Sequence, residues 1–157
     1  MNRIKILGFA LFGLALASLV SNNTVAGGTK SENQVKASAE ASKIDAKGTQ
    51  TVTITLDIAK GWHLYANPVN HEFLEGGQTT VKIAAKEKPS SVKIKYPAGK
   101  TIVDKKEKYD IYEGVVKIEA TVKRAANDTS PLEISVAVQA CDSKVCLQPS
   151  TLKLTAK

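Results

Sequence analysis

The feature that most constrains this chain is strict two-residue alternation. Residues 51–58 read Thr-Val-Thr-Ile-Thr-Leu-Asp-Ile. Successive side chains of an extended chain point to opposite faces, so Val52, Ile54, Leu56 and Ile58 share one face while threonines line the other. The pattern recurs at residues 116–122 and 132–138 and, more briefly, at 81–83 and 92–96. Helical periodicity is absent. Strands with one dry and one wet face are stable when antiparallel sheets press their dry faces together. Turn signals separate the runs: Gly48, Gly61, Gly76 and Gly77, Pro89, Pro97 with Gly99, and residues 127–131. Eight or nine strands at this spacing predict an all-β, immunoglobulin-like antiparallel β-sandwich.

The alternation does not reach the N-terminus. Arg3 and Lys5 precede an apolar run over residues 6–20, followed by small and polar residues through Ala26. This is the layout of a secretory signal peptide, with cleavage expected after Ala26. A run of about fifteen residues is short of the roughly 20 that cross a bilayer as a helix. Residues 27–34 are small and polar and read as a disordered lead-in. The folded domain is expected over residues 35–157, in an exported, bacterial periplasmic setting, with no membrane span after cleavage. About 130 residues suffice for one domain with a real core.

Charge narrows the partners. The chain has 22 Lys and Arg against 15 Asp and Glu; Arg3 and Lys5 belong to the leader, leaving (22 − 2) − 15 = +5 on the mature part. The cations are lysines scattered along alternating strands, which guard strand edges and do not form the arginine-rich, aromatic-interleaved surface of a nucleic-acid binder. His63 and His71 together with the two cysteines lack zinc-site spacing, and no metal or cofactor is expected.

The two cysteines carry the distinctive chemistry. Cys141 and Cys146 bracket Asp142-Ser143-Lys144-Val145 between two strand-like runs, residues 132–140 and 147–154. In a hairpin they would face each other across a four-residue turn, with Cβ atoms about 4.5–5.5 Å apart. Alternation counted from each side puts them on opposite faces, so the ladder must break between them and Leu152. Pro149 has no N–H to give to a ladder, which predicts a bulge or kink at Gln148 and Pro149.

Two uses of such a pair compete. One is a fixed staple in a secreted binding or interaction module. The other is an exchangeable disulfide, in which one thiolate attacks a partner and the second resolves the mixed disulfide. A loop of about six residues constrains the unfolded chain by only roughly 2 kcal/mol, against about 4.7 kcal/mol for 100 residues. That magnitude favours exchange. Lys144 would lower a neighbouring thiol pKa and Asp142 would raise it. Residues 104–114 are expected to form a loop, charged but carrying Tyr109, Ile111 and Tyr112, which must cover something.

Three stretches together resemble a known family, the N-terminal, periplasmic domain of the thiol:disulfide interchange protein DsbD. They are Gly61-Trp62-His63-Leu64-Tyr65-Ala66-Asn67-Pro68, Tyr109-Asp110-Ile111-Tyr112-Glu113-Gly114, and Val138-Gln139-Ala140-Cys141-Asp142-Ser143-Lys144-Val145-Cys146-Leu147-Gln148-Pro149. The resemblance implies an immunoglobulin-like domain that takes electrons from a thioredoxin-like or membrane-embedded donor. It would pass them to exported disulfide isomerases or cytochrome-maturation proteins. By position, Cys146 would form the mixed disulfides and Cys141 resolve them. Ile111 and Tyr112 would belong to a cap over the pair, with Ile111 where the family often has phenylalanine. Tyr65, Tyr109 and Asp110 would line the site.

Overall fold

A computed structural model of the chain describes residues 30–157 apart from Lys106 and Ala126. The leader expected over residues 1–26 falls outside the described residues, as does the first part of the lead-in. Among the described residues no helix is long and apolar enough to cross a membrane.

The chain is an all-β, immunoglobulin-like sandwich whose named strands pair antiparallel. The first sheet is ordered β1 (Val35–Ala41), β2 (Thr49–Ile58), β8 (Val115–Lys123) and β5 (Ser91–Lys95). Its centre is the pairing of the two most strictly alternating segments, with Ile54 opposite Ile118 and Val52 opposite Ala120. A second sheet runs β10 (Ala140–Cys141), β3 (His63–Tyr65), β7 (Glu107–Tyr112) and β6 (Lys100–Asp104). The third is β11 (Ser150–Ala156), β9 (Leu132–Val138) and β4 (Thr80–Ala84). One apolar cluster joins all three, including Val52, Ile54, Leu56, Leu64, Ile118, Ile134 and Val136, each essentially sealed from water. Arg124 is buried beside the far end of the core; its guanidinium pairs with Asp128 at 2.8 Å and also reaches Gln50 and Ser130, so the charge does not stand alone.

Eleven strands form among the described residues, more than the eight or nine expected, and two of the extra ones correct the reading of residues 104–114. That segment is not a loop. Strands β6 and β7 make a hairpin in register from Lys100 opposite Ile111 to Asp104 opposite Glu107. Lys105 takes a left-handed φ of 47° at its tip. Tyr109 and Ile111 are two residues apart and share one strand face, but the lysines and acids around them hid this alternation.

The lead-in also differs from expectation where it is described. Residues Ser31–Gln34 form a 3₁₀ turn, and Ser31 is fully buried. Its hydroxyl donates to the Gln148 carbonyl at 2.7 Å and accepts from the Ala140 N–H at 2.9 Å. The reason lies at the far end of the chain. Strand β9 ends at Val138, opposite Ser150, whereas Cys141 lies opposite Cys146. Two residues intervene on one side and three, residues 147–149, on the other, so the hairpin carries a bulge at the place Pro149 predicts. A bulge leaves ladder groups unpaired, and buried backbone groups need partners. Ser31 supplies them, which fixes the segment that leads into the cysteines.

Candidate thiol-disulfide site

The bulge lets the chain leave the third sheet and enter the second. Past it, Ala140 and Cys141 pair with β3, Ala140 opposite Leu64 and Cys141 opposite His63. Directly opposed residues of an antiparallel pair share a face. Leu64 and Ala140 therefore face the core, both fully buried, and His63, Tyr65 and Cys141 take the other face together.

Cys141 and Cys146 are joined as a disulfide, their Cα atoms 4.0 Å apart. The sulfurs differ in access: Cys141 is 1% exposed, whereas Cys146 is exposed. The intervening turn holds itself without help from the sulfurs. Asp142 N–H donates to the Val145 carbonyl at 2.9 Å, and Asp142 Oδ1 accepts from the N–H groups of Lys144 at 2.7 Å and Val145 at 2.8 Å. Those two amide bonds, Val145 first, hold the Asp142 carboxyl below the ordinary aspartate value, aided by the charge of Lys144. These hydrogen bonds close the turn independently of the bond between the sulfurs.

The pair borders an open cleft of about 480 Å³. Tyr65 enters it from β3, its hydroxyl 3.8 Å from Cys146 Sγ. A disulfide sulfur has no proton, so Tyr65 is the donor in this contact. Burial, with a smaller contribution from Tyr109, pushes the Tyr65 hydroxyl above its ordinary pKa, and it keeps that proton through the neutral range. Tyr109 meets the Tyr65 ring edge-on, centroids 6.1 Å apart. The β6–β7 hairpin brings Ile102 and Val103 to the rim. Val103 is 72% exposed and Val145 55%, so two uncovered apolar side chains flank the open sulfur.

Of the residues expected at the site, Cys141, Cys146, Tyr65 and Tyr109 come together there; Asp110, Ile111 and Tyr112 do not line the cleft. Asp110 is tied to Thr101 Oγ1 at 2.7 Å and to Asn70 Nδ2 at 2.5 Å, and these bonds hold its carboxyl below the ordinary value. Ile111 and Tyr112 are each 3% exposed. The Tyr112 hydroxyl donates to the Pro97 carbonyl at 3.0 Å and accepts from the Asn67 N–H at 3.1 Å. They anchor the base of the hairpin, and what borders the cleft from this hairpin is Tyr109 with Ile102, Val103 and Asp104. Sequence reading weighed His63 with the cysteines only as a metal site, although its place two residues before Tyr65 already puts both on one face.

This geometry predicts that Tyr109→Ala, which removes the ring supporting Tyr65, speeds iodoacetamide alkylation of the reduced pair about threefold or more, because thiol reactivity follows access. Ile111→Gly should instead lower the unfolding midpoint, since it empties a buried site. Paired alkylation rates and urea melts check both outcomes.

A β-sandwich that presents a self-supported turn with one open and one buried sulfur defines an all-β domain of the thiol–disulfide exchange class. The chain belongs to the DsbD N-terminal family: residues 32–156 match the family described as thiol:disulfide interchange protein DsbD, N-terminal. Among solved structures it is similar to the N-terminal periplasmic domain of ScsB from Proteus mirabilis, at 21% identity and a TM-score of 0.52 over 76% of this chain. The match spans only 44% of that ScsB chain. It is also similar to the Neisseria meningitidis DsbD N-terminal domain in its reduced form, at 14% identity and a TM-score of 0.50, covering 81% of this chain and 87% of that one. At these identities the likeness shows a shared fold. The search of curated proteins returned no match.

Proposed function

We propose that this domain relays reducing equivalents by thiol–disulfide exchange in the periplasm, reached through the leader at residues 1–26. The observation that carries the proposal is the asymmetry of the pair: Cys146 is open to solvent beside exposed Val103 and Val145, and Cys141 is buried behind it. An incoming thiolate must reach a sulfur along a clear path, and this supports Cys146 as the sulfur of the mixed disulfide and Cys141 as the one that resolves it. A fixed staple fits less well, because the hydrogen bonds of Asp142 already close the turn.

The reductant is a dithiol protein of the thioredoxin-like kind or a membrane-embedded donor, and the acceptors are exported disulfide isomerases or cytochrome-maturation proteins. Oxidised domain mixed with a stoichiometric amount of reduced thioredoxin should gain two thiols within minutes while thioredoxin loses two. A domain disulfide that stays closed while thioredoxin reduces a control peptide disulfide would contradict the proposal.

A further inference from the structure

Opening the disulfide poses a problem at the buried sulfur. When a partner thiolate attacks Cys146, a partner–Cys146 bond forms, the Cys141–Cys146 bond breaks, and the electron pair leaves on Cys141 Sγ. In the closed disulfide Cys141 is 1% exposed, so this charge would form where little water reaches. A charge generated out of reach of water is costly unless it is paired or neutralised. Cys141 therefore needs a proton as the bond opens, and must lose one when it closes the disulfide again.

The groups around the cleft differ in their fitness to supply it. Asp142 is held as a carboxylate by its amide bonds. Tyr65 sits on the other sulfur and holds its proton too tightly. Lys144 lies on the exposed turn, and Asp104 and Tyr109 come from the hairpin. His63 is the direct cross-strand partner of Cys141, on the same face of β3 and β10 and bordering the same cleft. It is half-buried, with its ring edge-on to Tyr65 at 6.0 Å. The charges facing it are Glu113 from the turn after β7 and Asp142 from the cysteine turn. Both favour the imidazolium, while burial, the larger influence, favours neutral imidazole.

We propose that His63 is the proton carrier of the buried sulfur, giving its proton to Cys141 Sγ as the disulfide opens and taking it back as the disulfide closes. In the opening direction the imidazolium becomes imidazole and Cys141 becomes a thiol. The second thiol of the dithiol partner then attacks the partner sulfur of the mixed disulfide, so the partner is oxidised, Cys146 is released and this domain is reduced. The role rests on the exchange reading above and adds a named residue to it.

Reduction of the intact oxidised domain by dithiothreitol, followed from pH 5 to pH 8, tests both. Once corrected for ionisation of the reagent, wild type should be fastest at low pH and slow as His63 loses its proton. His63→Gln and His63→Tyr, the latter keeping a ring beside Tyr65, should be about tenfold slower near pH 5.5 and converge on wild type by pH 8, in keeping with general acid catalysis. Variants that match wild type throughout, or fall by one common factor at every pH as a packing defect would, overturn the role of His63 and leave exchange standing. A wild-type disulfide that dithiothreitol fails to open overturns exchange and this role together.

Discussion

Replacing Cys146 with serine is expected to abolish capture of partner proteins as mixed disulfides, and replacing Cys141 with serine to increase it. The difference follows from access and from what each thiol does next. Cys146 is the exposed member of the pair, in a cleft also lined by Val103 and Val145, so its loss removes the more accessible sulfur. Cys141 lies behind it, held opposite His63 by the short β10 strand. Without Cys141 a mixed disulfide at Cys146 has no internal thiol to release it, and it accumulates. Non-reducing gels of each reduced variant mixed with a single-cysteine thioredoxin, its cysteine activated as the thionitrobenzoate mixed disulfide so that thionitrobenzoate leaves when a domain thiolate attacks, would show a trapped band with Cys141→Ser and none with Cys146→Ser. The reverse pattern would exchange the roles of the two sulfurs.

Leu64→Ala should cause the largest loss of stability of any single truncation near the site, about 3–4 kcal/mol on the scale of buried leucines. Leu64 is fully buried and central to the second sheet, opposite Ala140 on one side and Tyr112 on the other. Its neighbours in sequence are His63 and Tyr65, so the side chain that fills the core also sets the height of two side chains on the sulfur face. Truncation leaves a cavity directly beneath the site. Val103→Ala, three-quarters exposed at the rim, should shift stability by less than about 0.5 kcal/mol. Urea unfolding of the oxidised forms separates the two; a loss below about 1 kcal/mol for Leu64→Ala would mean that the sheet collapses onto the gap.

The parts of this fold that can be read from sequence are those where one physical signal acts alone. The central pairing of β2 with β8 follows from uninterrupted alternation, because a one-residue slip would turn every apolar side chain to water. The bulge before Ser150 follows from a proline that cannot join a ladder and from cysteines that must share a face. What escaped reading depends on signals that conflict or on contacts between distant segments. In the β6–β7 hairpin, charged residues mask the period set by Tyr109 and Ile111. Tyr109 meets Tyr65 at the cleft while Tyr112 is turned into the core, and that choice depends on the register of β7 against β3, which no local pattern contains. Ser31 looks like part of a solvated tail until the bulge exposes an amide and a carbonyl for it to bind. His63 could have been found from the sequence, since its parity with Tyr65 places it on the site face once β3 is recognised as a strand.

The reduction potential of the Cys141–Cys146 pair tests the relay most directly, by equilibrating the domain against glutathione or dithiothreitol buffers and counting thiols. An exchangeable pair should lie above about −300 mV, within reach of thioredoxin-like donors near −270 mV. A potential well below about −300 mV, the range of inert structural bridges, would make the disulfide a permanent staple and contradict the relay.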